Sequence, residues 1–216
     1  MNINRDIYLQ RLVDSRHNRM IKVITGVRRC GKSYLLFHLF TEWLFAKGVA
    51  EDHVITVNLE DRRYKSLRDP DNLLAYIDGR MTDKDMYYIL LDEIQMVDEF
   101  EDVLNSYLNV DNADVYVTGS NAKFLSKDVI TEFRGRGDEI HMLPLSFGEF
   151  YSVYEGDYKM ALDEYLTYGG LPQILSYKTE KQKADYLKGL FEKTYISDIV
   201  GRYHVKNEAE LSDLVN

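Results

Sequence analysis

The sequence predicts an α/β fold in which a mainly parallel β-sheet is covered by helices on both faces and is followed by a smaller helical part. Three observations predict it. A β-rich run, Met20-Ile21-Lys22-Val23-Ile24-Thr25, meets a glycine loop and then a long apolar segment. A second run, Tyr87-Tyr88-Ile89-Leu90-Leu91, ends in two adjacent acids, Asp92 and Glu93. Strand-like and helix-like segments alternate around them, as parallel strands joined by crossover helices require.

The first run reads as a buried strand. The segment from Ser33 to Lys47 reads as a helix, with Gly48 as its C-cap. Val54 to Leu59 is a further strand, followed by Glu60 and Asp61. Asp69-Pro70 is an N-cap with proline at the first helical position, and Leu73, Leu74 and Ile77 form one apolar face. Asp98 and Glu101 have capping-box spacing. They open a helix whose Phe100, Val103, Leu104, Tyr107 and Leu108 face one side as core. Val115 to Thr118 and Glu139 to Leu143 are the remaining strands. After Pro144 the chain turns helical. Ser146 and Glu149 make a second capping box, Lys159 to Tyr168 is a helix, and Gly169-Gly170-Leu171-Pro172 breaks it as a hinge or a turn. Leu187, Leu190, Phe191 and Thr194 mark another amphipathic face.

The chemistry begins at Gly26-Val27-Arg28-Arg29-Cys30-Gly31-Lys32-Ser33, which has the G-x4-G-K-[ST] spacing between a strand and a helix. Gly26 and Gly31 let successive backbone N–H groups turn inward as an anion nest. The helix N-terminus adds partial positive charge. Lys32 can reach the β- and γ-phosphates, and the Ser33 hydroxyl can ligate Mg²⁺. Residues 26–34, Tyr34 included, are the expected nucleotide contacts. Asp92, at the end of its strand, is the expected second Mg²⁺ ligand, and Glu93 the group that polarises an attacking water. Gly119-Ser120-Asn121 follows another strand, where Ser120 or Asn121 could contact the γ-phosphate or the water. Cys30 lies beside a helix N-terminus and two arginines. That setting should lower its thiol pKa and make modification block nucleotide entry.

Composition limits the alternatives. The 216 residues suffice for one medium domain with a small satellite, and 3 Pro with 13 Gly exclude low complexity. No apolar run approaches the roughly 20 residues of a membrane helix, and the N-terminus lacks a signal-peptide pattern. A single cysteine excludes an internal disulfide and fits a cytoplasmic protein. The five histidines lack metal-ligand spacing, so no zinc site is expected. The net charge of −9 gives no support to a whole-surface nucleic-acid binder.

The stretches VITGVRRCGKS, YYILLDEIQ, VYVTGSNAKFL, FRGRGDEIHMLPLSFGEF and YLTYGGLPQIL resemble, in this order, the AAA+-type ATPase family of bacteria and archaea. Its members typically continue into a winged-helix and nuclease-like domain of unknown function. The resemblance implies a P-loop fold with sheet order 5-1-4-3-2, and ATP with Mg²⁺ as ligands. It implies the roles above for Lys32, Ser33, Asp92 and Glu93, and a sensor role for Ser120 or Asn121. Asn58, at a strand end, would hold Glu93 away from water until a partner binds. Arg136, or Arg134, would be an arginine finger; if it acts on a neighbouring copy, the active form is a homo-oligomer. By the same resemblance, residues 1–145 are the ATPase core and 146–200 an α-helical lid. Residues 201–216 are the start of a truncated C-terminal module, through which DNA could be a partner. The expected activity is Mg²⁺-dependent ATP hydrolysis coupled to lid movement. The alternatives are a nucleotide-gated latch with slow turnover and a small-molecule kinase.

Overall fold

A computed structural model describes residues 3–119 and 135–192. These residues fall into two compact units, one holding 4–119 and 135–142, the other holding Ile3 and 143–192.

In the larger unit the described residues form a five-stranded sheet. Its strands are β1 (Ile21–Thr25), β2 (Val54–Asn58), β3 (Tyr87–Asp92), β4 (Ala113–Thr118) and β5 (Gly137–His141). The order is β2-β3-β4-β1-β5 and every neighbouring pair is parallel. This is the expected order read from the other edge. Helix α1 (Asp6–Asp14) precedes β1. Helix α2 covers residues 32–46, with a π-helical stretch, Leu35–Phe40, between two α-helical pieces. Thr41 donates its hydroxyl to the Leu36 carbonyl (3.2 Å), which helps satisfy the widened turn. The helix stops where Gly48 adopts φ +87°, one residue past the cap position.

Side-chain alternation along the strands divides the core into two layers. Ile21, Val23, Ile55, Val57, Ile89, Leu91, Val115 and Val117 face α3 (Pro70–Asp78) and α4 (Phe100–Tyr107). Ile24, Tyr88, Leu90, Tyr116 and Ile140 pack on the opposite face with Leu12 of α1 and Leu35, Leu36 and Phe40 of α2. The start of α3 is as expected, with the Asp69 carboxylate accepting from the Asn72 N–H (3.0 Å). The start of α4 is not. Its N-cap is Glu99, with φ +51° and no side-chain cap, so Asp98 and Glu101 form no capping box. The Asp98 N–H is tied instead to the Arg68 carbonyl (3.3 Å), which shifts the helix entry by one residue. β5 also begins two residues before the expected position, because Gly137 already pairs with Ile21.

In the smaller unit, α5 (Phe147–Tyr151) carries the expected Ser146/Glu149 capping box. Helices α6 (Tyr158–Tyr168) and α7 (Glu180–Leu190) follow, with Leu145, Phe150, Ala161 and Ile174 as their core. Gly169-Gly170 is a turn held against Leu145. The Leu145 N–H donates to the Gly170 carbonyl (2.7 Å), and a Cβ on Gly170 would stand 2.2 Å from the Leu145 carbonyl oxygen. Among the described residues no helix is long and apolar enough to cross a membrane.

Candidate functional site at the ends of β1 and β3

The loop leaves the C-terminal end of β1 through Gly26 and enters α2 through Gly31. Gly26 has φ +140°, and a Cβ there would lie 2.2 Å from the Met142 carbonyl oxygen. No side chain fits in that close approach, which the Met142 N–H fixes by donating to the Thr25 carbonyl (2.8 Å). Arg29 (φ +64°) and Gly31 (φ +104°) make the further left-handed turns that wrap the backbone into α2. Lys32, only 5% exposed, folds its ammonium back over the loop and donates to the carbonyls of Gly26 (2.9 Å) and Val27 (3.1 Å). A phosphate oxygen is a stronger partner for an ammonium than either carbonyl.

Asp92 stands at the end of β3 and is 2% exposed. Its Oδ1 accepts from the Ser33 hydroxyl (2.9 Å) and from the Thr118 hydroxyl (2.5 Å). Burial pushes the Asp92 carboxyl above the usual carboxylate range. The Thr118 and Ser33 hydrogen bonds oppose the rise, the Glu93 charge adds to it and the Lys32 charge counters it. A buried carboxylate beside a serine hydroxyl is a set of hard oxygen donors at the mouth of an anion nest, and it fits Mg²⁺ held next to phosphate. A cation there would also compensate the charge that burial disfavours.

Directly after Asp92 the chain turns sharply. Glu93 adopts φ +56°, a left-handed conformation unusual for a non-glycine residue and frequent at functional sites. Its N–H donates to Thr118 Oγ1 (3.1 Å), and its carboxylate accepts a short hydrogen bond from the Gln95 side-chain amide. Thr118 therefore serves both acids, donating to one and accepting from the backbone of the next.

The structure thus brings together Gly26, Gly31, Lys32, Ser33, Asp92 and Glu93. Around them Val27 and Arg29 are exposed and Arg28 is half-buried, while Tyr34 lies against the His38 ring at 5.0 Å between centroids. Asn58 ends β2 level with Asp92 in the register. Its amide oxygen accepts from the Glu60 N–H (3.0 Å), while the Gln95 amide donates to the Glu93 carboxylate. Arg136 precedes β5 at the opposite edge of the sheet, where its carbonyl accepts from the Ile21 N–H (2.9 Å). Ser120, Asn121 and Arg134 lie outside the described residues.

The expectation for Cys30 is overturned. Its side chain is fully buried among Leu12, Leu35, Ile140 and Met142. Burial pushes the thiol above its ordinary value, outweighing the charges of Lys32 and Arg5. A buried, neutral thiol is inert, so Cys30 is packing within the loop rather than a reactive switch.

Two residues of the site escaped the sequence reading. Thr118 carried a signal, since it is the polar last residue of the strand lying between β1 and β3. Gln95 carried only its spacing, two residues after Glu93.

A strand, an anion-binding loop with a buried lysine, and an acid pair at the end of the next strand but one in a parallel sheet define the P-loop class of nucleotide-binding proteins. Residues 18–151 match the AAA domain family, and the chain belongs to that family. Two uncharacterized proteins are similar along its length. One, from Haemophilus influenzae, is 34% identical over 99% of this chain and 54% of its own. The other, from Methanocaldococcus jannaschii, is 32% identical over 99% of this chain and 48% of its own. The chain therefore spans about half the length of these relatives. Among solved structures, Aeropyrum pernix ORC1 in complex with DNA superposes with a TM-score of 0.51 at 15% identity, covering 93% of this chain and 68% of that one. AMPPCP-bound DnaA from Aquifex aeolicus gives a TM-score of 0.51 at 15% identity, covering 86% and 62%. At that identity the likeness shows a shared fold. Fold and family together support ATP binding and hydrolysis in general terms.

Proposed function

We propose that this chain is the nucleotide-hydrolysing part of a Mg²⁺-dependent ATPase. The observation that carries the reading is the hydrogen-bonded set Ser33–Asp92–Thr118–Glu93 placed beside the Lys32 loop. The loop amides and Lys32 would bind the phosphates, and Ser33 with Asp92 would hold Mg²⁺. Bound Mg²⁺ would neutralise charge on the phosphate oxygens. Glu93 would orient a water for in-line attack on the γ-phosphorus. The bond from that phosphorus to the β–γ bridging oxygen breaks, ADP leaves, and the proton of the water passes through the carboxylate to solvent or product phosphate.

Arg136 supports a homo-oligomer. Its backbone sits at the end of the sheet where the strands begin, whereas the loop lies where they end. As an arginine finger it would act on a neighbour's site rather than on its own. We further propose that residues 146–200 respond to the nucleotide as a lid.

The decisive experiment compares steady-state ATP hydrolysis and ATP affinity for wild type, Glu93→Gln and Lys32→Ala. The expected outcome is turnover in wild type, a loss of roughly 100-fold or more in kcat for Glu93→Gln with binding retained, and lost binding for Lys32→Ala. Tight binding with negligible turnover in wild type would replace the ATPase reading with that of a nucleotide-gated latch.

A further inference from the structure

We propose that Gln95 is a positioning residue that holds the Glu93 carboxylate in its working orientation. The inference rests on the ATPase reading for its consequence, but its structural basis stands alone. Glu93 is the first residue past β3 and turns left-handed, so its side chain gains nothing from the ladder that fixes Asp92. Its backbone N–H is anchored on Thr118, and its carboxylate Oε2 accepts from Gln95 Nε2. The short Ile94–Met96 helical turn places the Gln95 amide back over Glu93. Ile94 is fully buried and pins that turn to the core.

The way Gln95 uses its amide separates positioning from packing. A glutamine that only filled space would satisfy both ends of its amide. Here Nε2 goes to Glu93, while the buried Oε1 has no hydrogen-bond partner among the described residues. The donor end must face a carboxylate, so the amide cannot flip to relieve the oxygen. The orientation of Gln95 is thus set by Glu93, and that of the Glu93 carboxylate by Gln95. A carboxylate has about four acceptor sites, so the Gln95 donor can orient it and still leave capacity for a water.

The test uses Gln95→Ala and Gln95→Glu in the full chain, each checked for an unchanged thermal midpoint. Both should lower kcat by roughly tenfold or more with ATP affinity unchanged, because a tilted carboxylate misplaces the water without touching the phosphate loop. Gln95→Glu should be at least as impaired as the alanine variant, since it sets carboxylate against carboxylate. In nucleotide-free wild type, the NMR signal of one Gln95 side-chain amide proton should be displaced downfield and should return toward free glutamine values in Glu93→Ala. Turnover of Gln95→Ala within twofold of wild type would overturn the proposal, as would an amide signal that Glu93→Ala leaves unmoved. A wild type without turnover would sink the ATPase reading instead, and the amide signal would still decide whether Gln95 holds Glu93.

Discussion

Thr118 shows how a single hydroxyl can organise two acids with different tasks. It donates to Asp92 Oδ1 and accepts from the Glu93 N–H, so both acids hang from one atom of a neighbouring strand. Thr118→Val keeps the shape and removes both bonds. It should cost about 1–3 kcal/mol of stability, as the buried Asp92 carboxylate loses a donor and the part-buried Glu93 N–H its acceptor. It should also lower kcat more than ATP affinity, measured by denaturant unfolding and steady-state kinetics; unchanged values in both would show that Ser33 alone suffices for Asp92. At this scale the sequence revealed residues that announce themselves by type and spacing, namely Gly26, Gly31, Lys32, Ser33, Asp92 and Glu93. It did not reveal Thr118 or Gln95, because a strand-end threonine and a turn glutamine acquire meaning only when other segments arrive beside them. Cys30 was misread for a related reason. Neighbours in sequence suggested a charged environment, whereas the side chain points into the layer under α2.

Elements were legible wherever a local rule decided them. The Asp69 cap, the Ser146/Glu149 box and the apolar β-rich runs of the strands needed no distant partner. The π-helical stretch of α2 and the left-handed entry to α4 were invisible because tertiary contacts impose them. The turn before β2 depends on a tertiary contact as well. His53, at the end of Glu51–His53, pairs Nδ1 with Asp52 (2.8 Å) and Nε2 with Asp83 (3.2 Å), and it stacks on Tyr87 at 4.5 Å between centroids. The Asp52 hydrogen bond, with further help from Asp83, raises the His53 pKa above its ordinary 6.5 against the opposing effect of burial. A raised histidine pKa means the folded state binds the proton more tightly than the unfolded one. This contribution is complete below pH 6.5 and is lost as pH rises through the folded value. An NMR titration of His53 should therefore show a midpoint above 6.5 that falls in Asp83→Asn; a midpoint at or below 6.5 in wild type would contradict the pairing.

For the whole molecule, the alternation of strands and helices implied a mainly parallel sheet covered on both faces, and the family resemblance supplied the strand order that the structure shows. The assembly is a matter for experiment, and Arg136 offers the handle. Arg136→Ala and Glu93→Gln should each abolish turnover alone. Mixed together they should regain a part of it, because one class of interface joins an intact Glu93 to an intact Arg136. No recovery on mixing would confine catalysis to single chains or remove Arg136 from it. The strand order also has a consequence for biosynthesis. Lys22 pairs with Tyr116 on one side and with Asp138 on the other, so the strand that carries the phosphate loop is the earliest made and meets both its neighbours late. On a ribosome, a nascent chain released before β4 would contain every residue of the loop and yet have no place to dock it. Nucleotide capture could then begin only once β5 had left the exit tunnel, long after its binding motif was translated.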